Sequence, residues 1–117
     1  MEFQYKLKND KESRKKESNE LLEKHPDKLP IILEKDPSCK LKEMKKKKYL
    51  LLKKSTISQL QEIIKRKTEL PEKESLFLQV RTKYGLSGET TIEDVYSKYK
   101  DQDGFLYIMY TSELIYG

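Results

Sequence analysis

The stretch KLPIILEK, residues 28 to 35, sets the tightest limit on how this chain folds. Successive side chains of a strand point to opposite faces, so the consecutive Ile31, Ile32 and Leu33 need apolar cover on both sides of the sheet they enter. The run suits a strand covered on both faces rather than an amphipathic edge. The 117 residues suffice for one domain with one core, and the apolar 35% falls in short runs parted by a charged 38%. The expectation is a folded domain with a very polar surface.

The other elements follow from period and punctuation. Residues 1 to 27 hold few apolar side chains, chiefly Phe3, Tyr5, Leu7, Leu21 and Leu22. Asp10 suits the cap of a helix reaching Lys24, and His25-Pro26 stops it. After the break at DPSCK and a lysine run, KYLLLKK reads as a second strand. From Thr56 the period becomes helical, with Ile57, Leu60, Ile63 and Ile64 on one face and Thr56 with Gln59 as a capping box, up to about Leu70-Pro71. SLFLQVRT, residues 75 to 82, reads as a third strand and KYGLSGE as a turn or short loop. Thr90 and Glu93 repeat the capping-box spacing ahead of Ile92, Val95, Tyr96 and Tyr99, the DQDG turn closes that helix, and FLYIMY is the last strand. The order is strand, strand, helix, strand, helix, strand: an α+β roll with two helices packed on a mixed four-stranded sheet, preceded by an N-terminal helical arm.

Several function classes find no support. Cys39 is the only cysteine, so no internal disulfide forms, and no apolar run approaches the roughly 20 residues of a membrane span or the pattern of a signal segment. A reducing, cytoplasmic setting is expected. His25, the only histidine, reads as a stop signal or packed side chain; Cys39 lies among lysines but lacks a second histidine or an oxyanion motif. No metal-ligand spacing or phosphate-cradling loop occurs, so neither catalytic residue nor cofactor nor metal is expected. The net charge of +5 is an excess of 25 basic over 20 acidic residues, and no base-reading motif accompanies it.

EKHPDKLPIILEK, KKKKYLLLKK, the helix from Gln59 to Lys67 and DGFLYIMYTSELIYG together resemble the autophagy ubiquitin-like modifiers, the family of the GABA-A receptor-associated protein and the microtubule-associated light chains. The resemblance runs almost end to end. It implies a ubiquitin-like β-grasp core over residues 28–110, an N-terminal helical arm over 1–27 and a flexible conjugation tail over 111–117. It also implies that residues 48 to 52 form an exposed edge to which a peptide with an aromatic-x-x-aliphatic motif adds a strand.

Carried over by position, the pocket for the aromatic anchor is Glu17, Leu21, Pro30, Ile32, Lys48, Leu50 and Phe105. The pocket for the aliphatic anchor is Tyr49, Leu51, Leu52, Leu60, Ile63 and Ile64, with Lys28, Lys46 and Lys67 meeting acidic flanks. Leu52, Ser55 and Leu60 depart from the family pattern, so the second pocket is expected to have a different shape. Lys28 and Lys67 stand where arginine is frequent, which removes bidentate pairing to carboxylates. The resemblance further implies that Gly117 is joined, through ubiquitin-activating-type and conjugating-type enzymes, to phosphatidylethanolamine, giving a pool on autophagosomal or other vesicle membranes that recruits cargo receptors.

Read without the resemblance, Ile32, Leu60, Ile63, Ile64 and Phe105 are core residues and the lysine run is a solvated charge cluster. Three readings stay open at this stage: a conjugated modifier, a non-conjugated peptide-binding adaptor of the same fold, and a basic nucleic-acid-binding domain.

Overall fold

The computed structural model describes residues 2–81 and 83–114. Two helices come first, α1 (Gln4–Lys8) and α2 (Lys11–Lys24). Asp10 caps α2 by accepting from the Ser13 amide at 2.8 Å, and the chain leaves the helix at His25. Then come β1 (Lys28–Lys35), β2 (Lys48–Leu52), α3 (Ile57–Thr68), β3 (Glu74–Val80), β4 (Lys83–Tyr84), α4 (Ile92–Tyr99) and β5 (Leu106–Leu114). The sheet order is β2-β1-β5-β3-β4, with β1 and β5 parallel and every other pair antiparallel. The four expected strands are present, in the expected mixed roll, and the two-residue β4 adds a fifth at the edge beyond β3.

β1 is buried from Leu29 to Glu34, as its apolar run requires. Ile31 and Leu33 enter the larger core beneath α3 and α4, whereas Ile32 packs with Phe3, Phe105, Tyr107 and Met109 on the side of α1 and α2. The arm is therefore the cover of the second face. Because its stripe is thin, polar contacts help to fasten it: Glu34 accepts the Gln4 and Tyr5 amides at 2.8 and 2.9 Å, and Arg14 meets the buried Asp103 at 2.5 Å.

Among the boundaries that differ from the sequence reading, three have a visible cause. α3 ends at Thr68, two residues early, where Glu69 turns left-handed at φ 53° and its amide returns to the Lys65 and Arg66 carbonyls. α4 is capped by Thr91, which accepts from the Asp94 amide, and not by Thr90. Thr90 is held in the preceding loop, its amide bonded to Ser87 and its carbonyl to the Ile57 amide. Residues 111–114, assigned to a free tail, are strand: Thr111 to Leu114 pair with Phe77 to Glu74, because β3 extends far enough to satisfy their backbone groups.

Candidate functional site

β2 ends the sheet, so one long side of its backbone pairs with β1 and no described strand covers the other. Lys48 and Leu50 lie opposite Ile32 and Pro30 and share their face, while Tyr49 and Leu51 lie opposite Ile31 and Leu29 on the other. Alternation alone thus gives this edge two faces, one toward α2 and one toward α3.

On the α2 side, Leu21 packs against the buried Ile32 and Phe105. Glu17 lies one helical turn before Leu21 on α2, Lys48 and Leu50 share the sheet face of Ile32 and Pro30, and Pro30, Ile32 and Phe105 are buried. Lys48 and Glu17 form an ion pair between β2 and α2. Tyr5 of α1, which the sequence reading did not assign here, donates its hydroxyl to the same Glu17 carboxylate and sets its ring edge-on to Phe105, 5.3 Å between centroids. The Lys48 ammonium lies 5.8 Å from the Tyr5 ring. Burial opposes ionisation of Glu17, yet the hydrogen bonds from Lys48 and Tyr5 outweigh it and hold the carboxyl below its ordinary pKa. Tyr5 is shifted upward by burial first and by Glu17 second.

The α3 side is different in shape. Leu60 and Ile64 are 2% and 0% exposed and belong to the main core, because the stripe that makes α3 amphipathic is the stripe that packs on the sheet. Leu51 is half-buried against that core. What remains open is a shallow groove of about 520 Å³ whose apolar surface is Leu52 and Ile63, with Ser55 and Gln59 beside them and Lys54, Glu62 and Arg66 also in its lining. Gln59 is occupied in the capping box, where its side chain accepts the Thr56 amide at 3.0 Å.

Tyr49 sits apart from that groove. Its ring lies near the ammonium groups of Lys46 and Lys67, at 5.2 and 5.8 Å, in a cavity of about 210 Å³ that also takes in Lys42, Glu43, Met44 and Lys45 and is basic on balance. Two of the three expected acidic-flank lysines therefore lie against one aromatic ring. Lys28, the third, lies opposite Leu52 at the far end of β2. Gly117 falls outside the described residues.

Cys39 is buried; burial pushes its thiol up, but hydrogen bonds from Leu41 and Ser112 bring the pKa below the ordinary value. No cluster of His, Cys, Asp or Glu able to hold a metal ion occurs among the described residues. Among the same residues no helix is long and apolar enough to cross a membrane.

Comparison with known proteins gives one consistent result. A family model described as autophagy protein Atg8, ubiquitin-like, matches residues 13–117. Autophagy-related protein 8e of Arabidopsis thaliana is 36% identical over 113 residues, covering 97% of this chain and 92% of the relative. The crystal structure of ATG8 from Trypanosoma brucei superposes with a TM-score of 0.90 at 33% identity, covering 100% of both chains.

Proposed function

The chain belongs to the Atg8 family of ubiquitin-like autophagy proteins, and from that premise we propose that it is a modifier conjugated through Gly117 to phosphatidylethanolamine, displaying β2 as a peptide-binding edge on autophagosomal or related membranes. The observation that carries the binding half is the β2 edge, which no described strand covers, together with the Glu17–Lys48 pair, the groove at Leu52 and Ile63, and a basic rim. An extended peptide continues the sheet along β2, and its backbone supplies hydrogen bonds that do not depend on sequence. Its aromatic anchor enters between α2 and β2, parting Glu17 from Lys48 to reach Phe105 and Ile32. Its aliphatic anchor lies on Leu52 and Ile63, while Lys28, Lys46 and Lys67 receive acidic flanks.

The covalent half proceeds in three steps. The Gly117 carboxylate attacks ATP, forming an acyl adenylate and releasing pyrophosphate; an enzyme thiolate displaces AMP to give a thioester; and, after transfer to a second enzyme cysteine, the amine of phosphatidylethanolamine forms an amide and releases the thiol. Glycine suits this path because the absence of a Cβ leaves the acyl carbon open to attack. The reading requires Gly117 to carry the free carboxylate, whether encoded last or exposed by processing. Two acyl chains anchor far more firmly than one, since each buried methylene contributes about 0.8 kcal/mol.

The binding test is heteronuclear NMR with acidic peptides bearing an aromatic-x-x-aliphatic core. Shift changes are expected at residues 46–52, with affinity weakened about tenfold, about 1.4 kcal/mol, by Leu50→Ala; a panel leaving those resonances unmoved rejects the edge as the site. For the covalent half, Gly117→Ala is expected to keep the fold and peptide binding and to gain no lipid mass in a reconstituted conjugation reaction.

A further inference from the structure

Resting on that reading of Gly117, we infer that the lysine-rich loop between β1 and β2 is a headgroup-binding face, which lies on an anionic phospholipid surface once the chain is anchored. β5 stays paired through Leu114, opposite Glu74, and only three residues carry the chain on to Gly117. Three residues span at most about 10 Å, close to the Debye length of roughly 8 Å at physiological salt. The end of the sheet where β5 finishes is therefore held within reach of the surface potential.

The loop is folded onto that same end. The Asp36 amide donates to the Tyr110 carbonyl at 2.8 Å, the Met44 amide donates to the Tyr110 hydroxyl at 3.1 Å, and the Cys39 sulfur lies 3.6 Å from the Ser112 hydroxyl. These contacts draw Cys39, Leu41 and Met44 inward and leave Lys40, Lys42, Lys45 and Lys46 exposed. Over residues 36–47 five lysines face two carboxylates, Asp36 and Glu43, and Asp36 is already bonded to Ser38. Lys42 meets Glu69 only at 3.9 Å and in the open.

The other flank of β5 has the opposite character. Glu72 and Glu74 lie at the start of β3, with Glu113 on β5 itself and Lys73 as the basic residue among them. This end of the molecule is thus polarised, lysines toward β2 and carboxylates toward β3. A negative leaflet attracts the first and repels the second, so a short tether is converted into a preferred tilt. The tether also keeps the surface at high effective concentration, which favours the membrane over a diffusing acidic protein as occupant. In that tilt β2, which begins at Lys48 directly after the loop, lies close above the membrane.

The test separates anchoring from enzymology. A Gly117→Cys chain in a Cys39→Ser background is coupled to a maleimide-headgroup lipid in phosphatidylcholine vesicles with or without phosphatidylserine, and amide hydrogen exchange is followed. Residues 40–47 are expected to gain protection only with phosphatidylserine and to lose it at high salt. The exposed-site triple variant Lys40→Glu, Lys42→Glu, Lys45→Glu should lose it too, and the corresponding Gln triple should retain part. Equal exchange on both vesicles, or protection at residues 72–77 instead, overturns the inference. So does a charge-reversal triple that fails in enzymatic conjugation while the anchored parent shows no phosphatidylserine dependence, since the loop then serves a protein partner. Failure of the unmodified chain to gain lipid enzymatically rejects the Gly117 reading alone and leaves the chemically anchored measurement standing.

Discussion

Asp103 is a carboxylate with no exposed side-chain surface, held by Arg14 and the Tyr107 hydroxyl at 2.5 Å each and by the Phe105 amide at 2.9 Å. Burial and this carboxylate together push Tyr107 upward. Removing one partner of a buried ion pair leaves the other charged and dry, so Asp103→Ala is expected to destabilise by about 3–5 kcal/mol in urea unfolding; a loss below about 1 kcal/mol would show that Arg14 is solvated by rearrangement. Glu17 is a half-exposed case with a different readout. Its folded pKa is depressed, so its contribution to docking of the arm is complete above the ordinary glutamate value of about 4.3 and is lost as pH falls through the folded value. Carboxyl-carbon NMR should find its midpoint below that of a free glutamate, and Lys48→Met should raise it. An unchanged midpoint would mean that the ion pair does not persist in solution.

At the scale of elements, caps decide where helices begin. Thr56 and Gln59 satisfy each other's backbone amides at the start of α3, a pattern readable in sequence because both ends of the box are side chains. At α4 the sequence offers two adjacent threonines, and spacing alone favours Thr90 with Glu93. Tertiary contacts choose otherwise: Thr90 bonds to Ile57 through its carbonyl, which leaves Thr91 to receive the Asp94 amide. Thr91→Ala should cost about 1 kcal/mol and Thr90→Ala distinctly less, measured as shifts in thermal midpoint. The reverse order would put the cap back at Thr90.

For the whole molecule the distribution of charge matters more than its sum. Residues 40–67 hold eleven basic and two acidic side chains, eleven minus two giving +9, although the chain totals +5; the remainder is therefore at −4. Most of that excess surrounds β2 and the end of α3. Acidic peptides should associate with a steep salt dependence, and the double variant Lys46→Ala, Lys67→Ala should slow association and flatten that dependence while changing anchor preference little. Stopped-flow rates across ionic strength check this, and equal losses for neutral and acidic peptides would count against the role.

The sequence by itself determined that β1 is covered on both faces, since Ile31, Ile32 and Leu33 leave no other arrangement, and it determined the element order through changes of hydrophobic period. That Lys48 and Leu50 share a face with Ile32 and Pro30, and Glu17 with Leu21, was legible because they alternate along paired strands or stand one turn apart on α2. Tyr5 carried no such signal: its helix is short, and only docking through Glu34 brings it onto Phe105 and Glu17. Leu60 and Ile64 show the complementary limit. Their spacing marks an apolar stripe, but whether a stripe meets a ligand or the sheet depends on how α3 is rotated against β1 and β5, a long-range packing choice. The same holds for residues 111–114, whose polar composition reads as tail until β3 offers its backbone partners. Periodicity fixes which side chains share a face; only the packed structure decides what that face touches.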